Sequence, residues 1–140
     1  MKVYNGEGMI LGRLATLVAK DILLGETVNV VNCEHVIISG DKTKVVANEK
    51  TKRARKGYPL KSAKFTRMPD RCVRRTIRGM LPWKHPRGKE AFKRVMCFIG
   101  VPEPLANEKM ITVEKHSVQK LPTLKYITVG KICKALGGKE

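Results

Sequence analysis

A chain of 140 residues with 42 % apolar side chains has enough material for one globular domain with a real core, and too much hydrophobicity for a disordered chain. Its 29 Lys and Arg against 12 Asp and Glu leave +17 at neutral pH, which points to an anionic partner. No apolar run approaches the length of a membrane span, and MKVYNGEG is not a signal-peptide start, so a cytosolic location is expected.

Lys2 to Asn5 is expected as a short strand, with Gly6 and Gly8 marking a turn. From Leu11, the residues Leu14, Leu17, Val18, Ile22 and Leu24 recur at helical spacing, and Gly25 supplies a left-handed stop. Thr27 to Cys33, with its VNVV run, reads as a buried strand. A strand, helix, strand unit of this length favours a parallel pair and an α/β fold. Val36 to Ser39 is a second short apolar run, after which Gly40 and Asp41 open a helix over 41–56 with a thin apolar stripe at Val45, Val46 and Ala47. Residues 57–69 are expected to be irregular, since glycine, prolines and serine punctuate them.

Asp70 fits the first turn or cap of a helix running through Cys72, Val73, Ile77 and Met80. Leu81 to Gly88 breaks the pattern, and Lys89 to Arg94 resumes it. Val95 to Ile99, VMCFI, fits a third central strand. Pro102 to Pro122 resists assignment. Tyr126 to Val129 then suggests a last strand, and KICKAL before Gly137 a closing helix.

The charge is concentrated. Residues 50–94 hold 17 Lys and Arg but only Asp70 and Glu90 as acids, a net +15, and the other 95 residues carry +2. Such self-repulsion calls for a polyanion, with nucleic acid first and an anionic membrane second; the block lacks the long amphipathic helix that a membrane surface would need. Within it, Arg71, Arg74, Arg75 and Arg78 recur every three or four residues, so three share one helix face while Cys72, Val73 and Ile77 turn toward the core. Arginine forks suit phosphate, and Lys84, Lys89 and Lys93 add point charges. Pro82 and Pro86 restrict the loop that presents Lys84, His85 and Arg87. Trp83, the only tryptophan, either plugs the core between two helices or lies on an RNA base or ribose.

Catalytic alternatives find little support. Gly6, Gly8 and Gly12 form GxGxxxG rather than the dinucleotide GxGxxG, so a plain turn is the simpler account, although an anion could sit at that helix start near Arg13. Asp70 is better explained as a cap and Glu90 as a local ion-pair partner than as a cooperating acid pair. Cysteines at 33, 72, 97 and 133 and histidines at 35, 85 and 116 lack metal-ligand spacing, which favours reduced, mostly buried thiols. No metal, cofactor or small-molecule substrate is expected. A nucleotide-dependent or RNA-modifying enzyme on the βαβ start, and a general nucleic-acid-binding protein, remain the alternatives.

The stretch RTIRGMLPWKHPRGKEAFKRVMCFIGVP, with LGRLATLVAKDILLGETVNVVNCEHVIISG upstream, closely resembles the universal large-subunit ribosomal protein L-thirteen family across roughly residues 3 to 136. The PWKHPRG form resembles the archaeal and eukaryotic branch, and the lack of a long C-terminal extension favours an archaeal source. The resemblance implies a three-layer α/β/α single domain, 1–140, with a small, mainly parallel sheet. It also implies a structural and assembly role in the large subunit, with ribosomal RNA and neighbouring ribosomal proteins as partners and no catalysis. Carried onto this chain, the RNA-facing positions are drawn from Arg74, Arg75, Arg78, Gly79, Lys84, Arg87, Gly88, Lys89, Lys93 and Arg94. Arg71, Trp83 and His85 join them by position, and Arg53, Arg55, Lys56, Lys61, Lys64 and Arg67 by charge alone.

Overall fold

The structure is a computed structural model and describes residues 1–55 and 66–138. The expected positions Lys56, Lys61 and Lys64, and most of the segment expected to be irregular, lie outside the described residues.

The chain opens with β1 (Lys2–Asn5), α1 (Leu11–Leu23) and β2 (Val28–Val31), and β1 pairs parallel with β2 in the register Val3 to Asn29. Helix α1 forms because Leu11, Leu14, Ala15, Val18, Ala19 and Ile22 fall on one face, all buried. Each large apolar side chain so covered contributes roughly 1.5–3 kcal/mol. Gly25, at φ +100°, ends the helix as expected. Leu24, expected on the apolar face, is 72 % exposed, since it lies one residue past the last helical turn. At the other end of the unit, Asp21 ties α1 to β1 by accepting from Tyr4 Oη at 2.6 Å and from Lys2 Nζ at 3.2 Å. Burial, and then the neighbouring carboxylate, push the Tyr4 phenol well above its ordinary pKa.

Next come β3 (Ile37–Ser39), α2 (Lys42–Ala54), α3 (Pro69–Gly79), α4 (Pro86–Lys93) and β4 (Val95–Cys97), then β5 (Met110–Ile111), β6 (Tyr126–Thr128) and α5 (Val129–Ala135). Four strands form a parallel sheet in the order β4-β2-β1-β5, and β3 pairs antiparallel with β6 beside it. The segment from Pro102 to Pro122 that resisted assignment supplies β5 and three short 3-10 turns, at Glu103–Leu105, Glu114–His116 and Val118–Lys120.

Strand alternation sorts the core into two faces. Tyr4, Val28, Val30, Val95 and Cys97 meet Leu14, Val18 and Ile22 of α1, Val73 and Ile77 of α3, and Ala91 of α4. On the reverse face, Val3 and Val31 meet Leu105, with Phe98 and Met110 at the margin. The result is a single α/β domain whose helices concentrate on one side of the sheet, leaving a thin layer on the other.

Two expectations need correction. The VMCFI strand is the sheet edge, not a central strand: β4 pairs only with β2, and Met96 and Ile99 stay over 40 % exposed. Helix α4 begins at Pro86, not Lys89, because proline's fixed φ and missing N–H suit a first helical position. Gly88 therefore lies inside the helix.

Candidate nucleic-acid interface

Helix α3 starts on Pro69 and runs to Gly79, burying Val73 and Ile77 against α1 and β4. That fixes its rotation, and Arg71, Arg75 and Arg78 are left exposed, with Arg74 half-buried. Met80, expected on the core stripe, follows the helix end and is 40 % exposed. Like charges four residues apart cost a few tenths of a kcal/mol per pair in isolation. Asp70 sits in the first turn without capping it, and its Oδ1 is buried with no hydrogen-bond partner among the described residues.

Leu81 to His85 turns the chain from α3 into α4. Trp83 N–H donates to the Leu81 carbonyl at 2.8 Å and His85 N–H to the Pro82 carbonyl at 3.0 Å. Here α4 crosses very close: a Cβ added at Gly88 would lie 2.2 Å from the Pro82 oxygen and 3.2 Å from Trp83 N. Only glycine lets the helix approach the turn that closely. Gly88 is buried, so its part in the site is to hold the turn; Gly79 is exposed with open space around it.

The arginines are organised by two aromatic rings. The Arg78 guanidinium lies 4.1 Å from the Trp83 ring centroid, Trp83 meets Phe92 edge-on at 5.2 Å and 88°, and Arg74 covers Phe92 at 4.6 Å. Cation, ring, ring, cation thus link α3, the turn and α4 in one unbroken stack. Each such contact is worth about 0.5–1.5 kcal/mol. A guanidinium lying over a ring keeps its N–H groups in its own plane, where they can donate to an acceptor beyond the stack. Trp83 is half-buried, and one face of its ring carries Arg78, which combines structural support with presentation of a cation. Beside it, Arg75, Arg78, Gly79, Leu81 and Trp83 line an open cleft of about 310 Å3.

Lys84, His85, Arg87, Lys89 and Lys93 are exposed on the turn and on α4. Among the described residues, no carboxylate pairs with Arg71, Arg74, Arg78, Lys84, Arg87, Lys89 or Lys93, whereas Met1–Glu26, Lys2–Asp21 and Lys52–Glu49 form ion pairs elsewhere. Glu90, exposed on α4, makes no ion pair among the described residues, contrary to its expected local pairing.

Three expected contact residues are engaged in holding helix ends. Arg94 Nη1 donates to the Ile22 carbonyl at 3.2 Å in the last turn of α1. Arg53 Nη1 donates to the Leu136 carbonyl at 3.0 Å just past α5, and Arg67 reaches the adjacent Gly137 carbonyl at 3.5 Å. Each supplies a cation where a helix leaves unsatisfied carbonyls. Arg55, next after α2, is exposed. Phe92 was missed by the sequence reading; the available signal was an aromatic residue amid cations, one turn after Gly88.

No group of three or more His, Cys, Asp or Glu suited to a metal occurs among the described residues. In the Gly6 to Gly12 run, Gly6 is closed off by the fold: a Cβ there would meet Val36 Cγ2 at 2.7 Å and the Val31 carbonyl at 2.9 Å, whereas Gly8 and Gly12 have no heavy atom within 4 Å of an added Cβ. Gly6 serves close packing of the turn against β2 rather than access for a phosphate. No helix among the described residues is long and apolar enough to cross a membrane.

Comparison with known proteins agrees with the charge pattern. The sequence profile of the family described as Ribosomal protein L13 matches residues 1–104. A protein of Methanocaldococcus jannaschii named large ribosomal subunit protein uL13 is 45 % identical over 142 aligned positions, covering 99 % of both chains. Proteins of the same name from Archaeoglobus fulgidus, at 42 % identity over 96 % of this chain and 86 % of the relative, and from Methanococcoides burtonii, at 38 % over 99 % of each, are similar throughout.

Proposed function

Because this chain belongs to the ribosomal protein L13 family, in its archaeal branch, we propose that it binds large-subunit ribosomal RNA through α3, the Leu81 to His85 turn and α4, and thereby supports subunit assembly. It is a structural constituent of the large ribosomal subunit, not an enzyme. Its place of action is the cytoplasmic ribosome, beside other large-subunit proteins.

One observation carries the RNA reading: an exposed cationic surface on which, among the described residues, Arg71, Arg78, Lys84, Arg87, Lys89 and Lys93 pair with no carboxylate, and whose Arg74 and Arg78 are held by Phe92 and Trp83. Arg71, Arg75, Arg78, Lys84, Arg87, Lys89 and Lys93 supply phosphate contacts, and release of condensed counterions drives association. Shape selectivity comes from the fixed spacing of these cations, since double-stranded RNA is recognised mainly through its backbone geometry. Arg53, Arg67 and Arg94 contribute by keeping α5 and α1 in place. Lys56, Lys61 and Lys64 are proposed as further phosphate contacts on their charge alone.

Co-sedimentation tests the assignment. The chain should remain with large subunits through a high-salt wash and vanish from small subunits; its loss from washed large subunits would refute an integral role.

A further inference from the structure

The basic domain also holds chemistry that RNA binding does not use. Its four cysteines fall into two neighbouring pairs, Cys33 with Cys97 and Cys72 with Cys133. Cys33 and Cys97 are sealed in the core behind β2 and β4, the former with no exposure. Cys72 and Cys133 differ: they lie on the neighbouring helices α3 and α5 and together line a cavity of about 310 Å3 with Glu49, Lys52, Arg75 and Thr76. Cys72 is half-exposed, whereas Cys133 is buried.

Position within the two helices assigns the roles. Cys72 is in the fourth position of α3, near the N-terminal, positive end of that helix, and such placement favours a thiolate. Cys133 is in the last turn of α5, where the helix end disfavours negative charge. The neighbouring Cys133 thiol, and after it the Arg75 and Lys52 charges, lower the pKa of Cys72 against burial and the Glu49 carboxylate, which oppose them; the same contact, together with burial, raises that of Cys133. One sulfur is poised to attack and the other to retain its proton until later.

We propose that Cys72 is a thiol-modification site that reacts with small disulfides, and that Cys133 is its resolving partner. The Cys72 thiolate attacks one sulfur of a low-molecular-weight disulfide, forming a mixed disulfide and expelling one thiolate. Cys133 then loses its proton to solvent and attacks the Cys72 sulfur, expelling the second thiolate and leaving a Cys72–Cys133 bond. Both protein thiols are oxidised, and the small disulfide is reduced to two thiols. The site lies on α3, so its chemistry reaches the helix that carries Arg71, Arg75 and Arg78, yet the proposal stands whether or not those arginines meet RNA.

The test uses the full-length folded protein and Ellman's reagent, an anionic aromatic disulfide, with stopped-flow absorbance and peptide mass mapping. The wild type should release two equivalents of the aromatic thiolate in a phase at least about tenfold faster than reaction of the core thiols, ending with a mapped Cys72–Cys133 link and no retained label. Cys133→Ser should release one fast equivalent and keep the label on Cys72. Cys72→Ser should lose the fast phase. A first link mapped to Cys33 and Cys97, or a single slow phase in the wild type, would overturn the proposal without recourse to any variant.

Discussion

Gly88→Ala isolates the close crossing on which the arginine–aromatic stack depends. The new Cβ would stand 2.2 Å from the Pro82 oxygen and 2.6 Å from its carbonyl carbon. Ordinary contact requires a separation near 3.3 Å, so α4 and the turn must part by about 1 Å, a small-to-large change of the kind that typically costs about 1–3 kcal/mol. The Pro82 oxygen cannot simply move aside, since it accepts from His85 N–H, and Trp83 follows it in the chain. For a domain of this size the melting temperature should fall by roughly 3–12 °C. Circular dichroism gives the melt, while fluorescence of Trp83, the only tryptophan, reports the turn directly. Gly79→Ala provides the contrast: its added Cβ meets no heavy atom within 4 Å at the end of α3, so it should be neutral or up to about 1 kcal/mol stabilising. Equal melting of the two variants, with unchanged tryptophan emission, would refute the crossing argument.

Arg78→Lys keeps the charge but loses the planar fork held over Trp83, so it should weaken RNA binding by about tenfold with little change in salt dependence. Arg78→Ala should instead also reduce the magnitude of the salt slope by about one; filter binding at several salt concentrations separates the two. Helix α2 buries none of its residues, so its amides should exchange with deuterium well before those of α1, and equal protection would show that α2 is braced by contacts absent from this account. Asp41, at the start of α2, accepts from Thr43 N–H at 3.1 Å and Thr43 Oγ1 at 3.0 Å, and the backbone bond first, then the hydroxyl, hold its pKa below the ordinary carboxylate value. Its support of α2 is therefore complete above the ordinary pKa and lost as pH falls through the depressed one; NMR shifts of Thr43 and Lys44 should follow that titration, and flat shifts would deny the cap.

The βαβ start was legible because Leu14, Val18 and Ile22 share a helical period and VNVV lacks one, so periodicity alone separates the two elements. VMCFI misled because apolar content does not report position within a sheet. Val95 and Cys97 are buried on one face, yet Met96 points to the thinly covered side. The start of α4 was hidden by reading Pro86 and Gly88 as loop residues, when one begins the helix and the other permits its close packing.

Charge pattern singled out the proposed surface but could not divide its arginines. Arg94, Arg53 and Arg67 look identical to Arg71 and Arg78 in composition, and only tertiary contacts reveal that three of them reach carbonyls 72, 83 and 70 residues away in sequence. Phe92 stayed unseen for the same reason. Its partners Arg74 and Trp83 come from a different helix and from the turn between.

The most direct test of the central claim, that this surface binds ribosomal RNA through its phosphates, is the salt dependence of that binding. With about six to ten phosphates neutralised, the slope of log affinity against log salt should be on the order of −4 to −9 for the wild type. Replacing Arg71, Arg75 and Arg78 together by alanine should bring that slope about two to three units closer to zero, with the melting curve retained. A wild-type affinity that stays flat from low to moderate salt would contradict the account.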